Sequence, residues 1–512
     1  MNNRLITVFV MVLGLICSIF VILQIIFNPT GGLAGLLKYV AVPLVLVSFL
    51  APKTGLVLLC WVNFYADYYK KLAVYYGTSS MMTVMEVLAL SMAMVGAILL
   101  GTTTQSLLRG PVPDRTSIII SIVSVVMTAM LFFSDSSGGM SGRVQYAING
   151  GLYLGLSAVM CYLLPDKEAA MRLCRLQFWL GVPWVLWALR QYIWGFTEME
   201  WFYARKGFSP VLSGQMLGAG EEARPYGFAG SSSAYGVITY LFMFGVWHAI
   251  RYPKMRALFW LGTLIYFIGL VVSTQRTILI LPFITFGAYL LFRTPGGTKF
   301  FYGATAAALF TGIMASDFLL ARLGDANDSM RIEGSGWASK VVQVGTFADR
   351  LKGWTRLKKA KSYSFFGKGN AIVAFDSDDY SHDVINRILI DYGIVGLTIS
   401  MGFLIWAAKT VHTFTFRIRN PEDRDVIVFV VAVVGVNGIG TLMSGNNTHT
   451  VPINLVLATL VGLAAVVYRR GQEAEAEEEA LVAAAAPLPT GLPVAGISRE
   501  ERARIRMRPS RK

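Results

Sequence analysis

The chain has 512 residues, of which 55% are apolar and only 15% are charged, whereas soluble domains carry about 25% charged residues. This composition argues against a soluble protein with many buried helices, whose segments would be shorter and more amphipathic. The formal net charge of +15 does not indicate a partner nucleic acid, because most charges lie in short loops between apolar runs. The composition therefore predicts a multi-pass membrane protein.

The apolar runs predict an all-α fold, a polytopic transmembrane helix bundle of about fourteen helices, since runs of about 17–25 residues cross a bilayer. They lie near 5–27, 36–51, 54–68, 81–101, 117–134, 146–165, 173–194, 231–250, 257–275, 277–292, 299–316, 384–408, 425–443 and 451–468. The first run is too long for a signal-peptide core, and no Ala-x-Ala cleavage site follows it, so we interpret it as a retained helix. The four cysteines lie in or next to these runs and indicate no disulfide framework.

Lysines and arginines in the short loops predict the orientation, because basic residues concentrate on the cytoplasmic side. With the N-terminus inside, the inner loops hold most of them, and the short outer loops hold only Lys70, Lys71, Arg143 and Arg276. Both chain ends are then cytoplasmic, and two longer loops, near 195–230 and 317–383, lie outside. The tail from Arg469, acidic and then basic, is predicted to be disordered.

Three residues from distant parts of the sequence fall on this outer face. Arg224 opens a turn with Pro225 and Gly227, residues that indicate a rigid turn and a fixed guanidinium. Arg276 sits between two apolar runs with almost no loop, where a charge is costly and is a functional candidate. His382 lies at the outer start of the twelfth predicted helix.

Each of the three also has a simpler interpretation. Arg224 is then an ordinary turn charge, Arg276 an arginine that reaches lipid headgroups, and His382 an interfacial residue at a helix start. Together they indicate an extracytoplasmic site for an anionic, lipid-linked substrate. Arginine matches phosphate oxygens with a fixed fork of donors, and histidine accepts a proton near neutral pH.

The second long loop carries a strongly basic stretch with apolar residues at helical spacing. Its basic residues are Arg350, Lys352, Arg356, Lys358, Lys359, Lys361 and Lys368. The pattern predicts an amphipathic helix on the outer membrane surface, or else a solvated surface helix. Further on, Asp376 to Asp379 contain the Asp-x-Asp pattern of metal-dependent sugar transferases. We interpret this cluster as an acidic turn without a supporting ligand set, so no metal is predicted.

These motifs resemble the O-antigen ligase and O-antigen polymerase family of bacterial membrane glycosyltransferases. The motif that carries the resemblance is His382-Asp383, nine residues, and then Gly393-Ile394-Val395-Gly396. Asp383 departs from the family pattern, which has Asn, Ser or Gln after the histidine. The Arg224 turn, Arg276 after Ser273, and Arg350 with Trp354 followed by Phe366-Gly367-Lys368-Gly369 are similar to the other family elements.

The resemblance covers roughly 220–400 and implies a GT-C-like, inverting, metal-independent transferase without a cofactor. Its implied donor is an undecaprenyl-diphosphate-linked oligosaccharide, and its acceptor is a glycan or a lipid. The implied catalytic residues are His382, Arg276 and Arg224. The implied substrate-binding residues are Arg350, Lys352, Arg356, Lys368 and Asp383. The implied location is the bacterial inner membrane, with a periplasmic active site, membrane lipids as neighbours and a chain-length regulator as a further partner.

The predicted organisation has four parts: N-terminal helices with the first loop over 1–219, a catalytic core over 220–410, C-terminal helices over 411–468 and the tail over 469–512. Three functions stay open. A polymerase joins repeat units of a surface or exported polysaccharide, and the basic outer loops favour it slightly. A ligase moves finished glycan to lipid A core. A transporter or flippase predicts ionisable residues in mid-membrane and inverted repeats.

Overall fold

The computed structural model describes most of the apolar runs. The described residues are 32–77, 81–109, 115–133, 152–208, 212–213, 216–217, 223–230, 234–273, 275–294, 296–314, 365–367, 384–418, 420–444 and 451–485. Within these ranges the protein is all-α, and no β-strand occurs. The all-α fold class predicted from the sequence is therefore confirmed for the described residues.

The helices follow one another with short connections in most places. They are α1 (Gly32–Leu50), α2 (Pro52–Tyr76), α3 (Met81–Arg109), α4 (Arg115–Phe133), α5 (Tyr153–Leu163), α6 (Lys167–Trp194), α7 (Glu198–Arg205), α8 (Val237–Arg251), α9 (Arg256–Val272), α10 (Arg276–Phe292), α11 (Gly297–Met314), α12 (Val384–Arg417), α13 (Pro421–Ser444) and α14 (Ile453–Ala485). Each predicted span from the second onward coincides with one of them. The first, near 5–27, lies outside the described residues.

Several helices run past the ends that hydropathy predicts, and two of them change the interpretation of the sequence. Helix α2 runs to Tyr76, well past the predicted end at 68, so Lys70 and Lys71 are buried helix residues rather than loop residues. Helix α14 runs to Ala485 through the acidic stretch after Arg469, for which the composition predicts disorder. Alanine and glutamate are strong helix formers, and Arg469 pairs with Glu473 one turn on, at 3.0 Å.

Glycines let the central helices approach closely. A Cβ at Gly245 of α8 or at Gly262 of α9 would come within 2.5–2.6 Å of the Phe178 ring of α6. At Gly181 it would meet the Tyr266 hydroxyl at 2.3 Å. Phe178 is fully buried and stacks on Phe259 at 4.8 Å between ring centroids. Helix α6 thus packs against α8 and α9 through small residues opposite aromatic rings.

At one end of the bundle, Asp425 of α13 joins three helices. This buried carboxylate accepts hydrogen bonds from the Trp247 indole at 3.0 Å and from the Arg251 Nε at 2.6 Å, both on α8. It also accepts one from the Tyr289 hydroxyl of α10 at 2.8 Å, and Arg293, which follows α10, lies 3.4 Å away. We call this the Asp425 end. The ends of α8 and α10 and the start of α13 meet there.

Replacing Asp425 with Ala should destabilise the bundle by about 3 kcal/mol. That value is at the lower end for breaking a buried ion pair, because Arg251 and Arg293 are partly exposed. Thermal unfolding of the detergent-purified protein measures the loss. The matched control is Asp423→Ala, which removes a partly exposed pair with Lys167 at 2.9 Å and should cost less than about 1 kcal/mol. Equal losses in the two variants would contradict the anchoring role of Asp425.

One described helical segment, Ile453–Glu478 of α14, is long and apolar enough to cross a bilayer by length and composition alone. Six further apolar segments have 10–17 residues: Tyr39–Leu50, Ala89–Gln105, Ser117–Met130, Arg256–Val272, Ile278–Phe292 and Tyr392–Phe403.

Candidate functional site

The turn that carries Arg224 lies at the bundle end opposite Asp425, because α8, which follows the turn, finishes at Asp425. Arg224 is partly exposed, whereas Pro225, Tyr226 and Gly227 are buried. Gly227 has φ +60°, and the Ala229 amide donates to the Tyr226 carbonyl at 3.0 Å. The rigid turn predicted from Pro and Gly is present. We call this end of the bundle the turn end.

A buried glutamine of α6 holds the turn. The Gln191 side-chain oxygen accepts hydrogen bonds from the backbone amides of Tyr226 at 2.9 Å and Gly227 at 2.8 Å. Its side-chain nitrogen donates to the Gly227 carbonyl at 3.1 Å and to the carboxylate of Glu200. The amide group of one side chain therefore satisfies three backbone groups of the turn that would otherwise be buried without partners.

Helix α7 fixes Glu200 in turn. Thr197 and Glu200 form a capping box, in which each side chain accepts a hydrogen bond from the other's backbone amide. The fully buried Glu200 carboxylate also accepts a hydrogen bond from the Trp187 indole at 3.0 Å. Helix α7 therefore holds Glu200, Glu200 holds the Gln191 side chain of α6, and Gln191 holds the turn.

A lysine of α2 supports the turn from another side. Lys71 is 1% exposed, donates to the Ala229 carbonyl at 2.8 Å and lies 4.3 Å from the centre of the Tyr226 ring. It lies beyond the predicted span 54–68. Burial lowers the pKa of its ammonium group to about 8, while the nearby carboxylates of Glu200 and Asp67 oppose that shift.

Partly exposed aromatic side chains surround the same turn. Phe228 contacts Tyr68 at 4.3 Å, Trp187 at 5.4 Å and Tyr65 at 5.9 Å between ring centroids. The Arg190 guanidinium lies 5.4 Å from the centre of the Trp187 ring. The surface around Phe228 and Trp187 thus combines apolar rings with the Arg190 cation.

The second predicted arginine opens α10. Arg276 is its first residue, and the side chain of Arg276 lies outside the described part of the chain. Because α10 finishes beside Asp425, its first residue lies at the turn end. The structure therefore brings the backbone positions of Arg224 and Arg276 to the same end of the bundle.

Helix α12, which begins just after the predicted histidine, is broken at the first glycine of the motif. Gly393 has φ +68° and ψ −167° inside the helix. The Val395 amide donates to the Phe365 carbonyl at 3.2 Å, and a Cβ at Gly393 would lie 2.4 Å from the Gly367 amide nitrogen. Two separate stretches of the predicted motif, 365–367 and 393–395, therefore contact each other.

His382, Asp383, Arg350, Lys352, Arg356 and Lys368 lie outside the described residues, as do Asp376 and Asp378. Within the described ranges, no group of three or more His, Cys, Asp or Glu side chains is positioned to hold a metal ion.

Sequence reasoning missed Gln191 and Lys71. A signal for Gln191 exists, since it is a polar amide near the end of a mostly apolar run. The charge pattern places Lys71 in a short loop, so the sequence gives no sign that Lys71 is buried beneath the turn.

Comparison of the chain with models of known protein families, with curated proteins and with solved structures finds no match.

Proposed function

We propose that the chain is a membrane glycosyltransferase that acts on undecaprenyl-diphosphate-linked glycans at the periplasmic face of the bacterial inner membrane. The observation that carries the proposal is the braced turn of Arg224, at the same bundle end as the start of α10 at Arg276. Two arginines at one end of the bundle suit a diphosphate, since each offers a planar pair of donors to phosphate oxygens.

The proposed architecture is a GT-C-like bundle of about fourteen membrane spans with both ends in the cytoplasm. Large apolar side chains exposed on one side of α9 support it: Trp260, Leu261, Leu264, Phe267 and Ile268 are 39–56% exposed. Phe283 of α10 is 66% exposed. An apolar surface of this extent suits contact with lipid, and small residues between closely packed helices are typical of membrane bundles.

The proposed reaction forms one bond and breaks one bond at the anomeric carbon. An acceptor hydroxyl oxygen attacks that carbon, and the bond to the diphosphate oxygen breaks with its electron pair going to the diphosphate. Arg224 and Arg276 stabilise the charge that grows on the leaving group. His382 orients the acceptor hydroxyl or takes its proton, with Asp383 as its neighbour.

Polymerisation of repeat units is the proposed outcome, and transfer of finished glycan to lipid A core is the alternative within the same chemistry. The two differ in the acceptor. For a transporter, ionisable residues in mid-membrane would be expected. The described charged clusters, around Asp425 and around Lys71, instead lie at the two ends of the bundle.

The test is a glycan-ladder assay on Arg224→Ala, Arg276→Ala and His382→Ala. Each arginine variant should lose about 2–4 kcal/mol of transition-state stabilisation, by analogy with loss of an oxyanion donor. The histidine variant should lose roughly 10²–10⁴-fold in rate. Arg276→Lys should rescue only in part, because an ammonium group keeps the charge and loses the bidentate fork.

Protein level and membrane insertion serve as controls in every strain. His449→Ala, on the predicted outer face but outside the motif, should be nearly silent. Wild-type ladders from the His382 variant, or from both arginine-to-alanine variants, would show that the assigned site is wrong.

A further inference from the structure

We propose that Gln191 is a positioning residue for Arg224, and that Lys71 supports the same turn from a second helix. The inference rests on the proposed function, because it assigns how the diphosphate-binding arginine is held. Neither residue is expected to touch substrate, since both are at most 3% exposed. Both would act through the backbone of the turn.

Gln191 has no freedom to bond elsewhere. Its oxygen accepts from two successive backbone amides, and its nitrogen donates to a carbonyl of the turn and to the fully buried carboxylate of Glu200. Leucine has a similar volume and offers neither donor nor acceptor. Gln191→Leu would therefore leave two buried amides of the turn unpaired and free the turn to move.

The position of Arg224 follows from that of the turn. Arg224 lies two residues before Tyr226, the first amide that Gln191 holds. Pro225 stands between them, and it fixes its own φ and restricts the backbone of the residue before it. With so few free dihedral angles between the held peptide and Arg224, the position of the Arg224 backbone and the direction in which its side chain leaves it depend on Gln191.

Lys71 acts at the other side of the turn. It holds the Ala229 carbonyl at 2.8 Å from α2, whereas Gln191 holds Tyr226 and Gly227 from α6. Helices α2 and α6 thus both form hydrogen bonds with the backbone of the turn. Loss of either contact should loosen Arg224 without removing any group that contacts the diphosphate.

The experiment measures binding of undecaprenyl diphosphate to the full-length, detergent-purified protein, with undecaprenol in the same micelles as a probe without phosphate. Arg224→Ala should weaken binding of the diphosphate about 10–100-fold, as expected for loss of hydrogen bonds to a charged group. Gln191→Leu should weaken it about 10-fold. Binding of undecaprenol should not change in either variant.

The matched control is Gln177→Leu. Gln177 is also a buried glutamine of α6, 2% exposed, and it donates to Thr459 at 2.8 Å rather than to the turn. Gln177→Leu should lower the melting temperature as Gln191→Leu does, but it should leave diphosphate binding unchanged. A purely structural role of Gln191 would give the two variants the same binding.

A double-mutant cycle separates the positioning role of Gln191 from the proposed diphosphate site at Arg224. If Gln191 acts through Arg224, adding Gln191→Leu to Arg224→Ala should weaken binding no further. Normal binding by Arg224→Ala would overturn the proposed site. Weak binding by Arg224→Ala with normal binding by Gln191→Leu, or with fully additive losses in the double mutant, would overturn only the positioning role.

Lys71 supplies a second route if Gln191→Leu does not fold. Lys71→Met keeps the apolar stem and removes the donor to Ala229, so it should weaken diphosphate binding several-fold. Lys71→Arg keeps a donor and should recover most of that loss. Equal binding by the two Lys71 variants would contradict a role for this hydrogen bond.

Discussion

Replacing Gly393 with Ala should abolish the proposed glycan assembly and lower the stability of the detergent-purified protein. Its φ of +68° with ψ of −167° lies in a region that glycine alone populates readily, and the strain costs about 1–3 kcal/mol. The new Cβ would also come within 2.4 Å of the Phe365 carbonyl oxygen and the Gly367 amide nitrogen. Both are backbone atoms, so the 365–367 segment must move away from α12.

Gly402→Ala is the control for this prediction. Gly402 lies in the same helix, and a Cβ there meets nothing within 4 Å. Alanine should be neutral or slightly stabilising at that position, because it is the better helix former. A glycan ladder and a melting curve from both variants decide the matter. Normal ladders and stability in Gly393→Ala would show that the contact between 365–367 and 393–395 is not needed for function.

Gly227→Ala should have a comparable effect at the Arg224 turn. Gly227 has φ +60°, and a Cβ there would lie 2.5 Å from the Trp184 carbonyl oxygen in α6. The turn must then separate from α6, which breaks the hydrogen bonds of Gln191 to Tyr226 and Gly227. We expect a stability loss of about 3 kcal/mol or more, since backbone strain and unpaired buried amides add to the overlap. Diphosphate binding should fall with it.

Gly207→Ala separates strain from overlap. Gly207 has φ +69°, and a Cβ there meets nothing within 4 Å. Its substitution should cost only the left-handed backbone penalty, about 1–2 kcal/mol, with normal binding of undecaprenyl diphosphate. Similar binding losses in the Gly207 and Gly227 variants would refute the specific role of the turn.

Hydropathy was sufficient to predict the long helices, because an apolar run of membrane length has few alternatives to helix, but it did not predict the short polar helix α7. It failed where helices continue into polar sequence. Helix α2 continues past 68 because Lys70 pairs with Asp67 and Lys71 bonds to Ala229, so charged residues are buried with partners. The acidic part of α14 is helical because alanine and glutamate are strong helix formers.

The site was predicted unevenly. Pro225 and Gly227 mark a turn by local chemistry, and the turn is found as predicted. The contacts that hold this turn join residues far apart in sequence, such as Gln191 with Gly227 and Lys71 with Ala229. No local sequence pattern encodes them. The catalytic assignment of His382 stays a prediction that rests on its motif.

Asp425 anchors two helices, α8 and α10, at the same end of the bundle. One carboxylate fixes the far ends of both α8 and α10, whose opposite ends lead to Arg224 and Arg276. A helix such as α10 is about 25 Å long, so a tilt of roughly 5° at its base displaces its tip by about 2 Å. A displacement of about 1 Å can cost roughly 100-fold in rate when catalytic groups must be aligned. Substitutions of Asp425 should therefore displace Arg224 and Arg276 from the opposite end of the bundle.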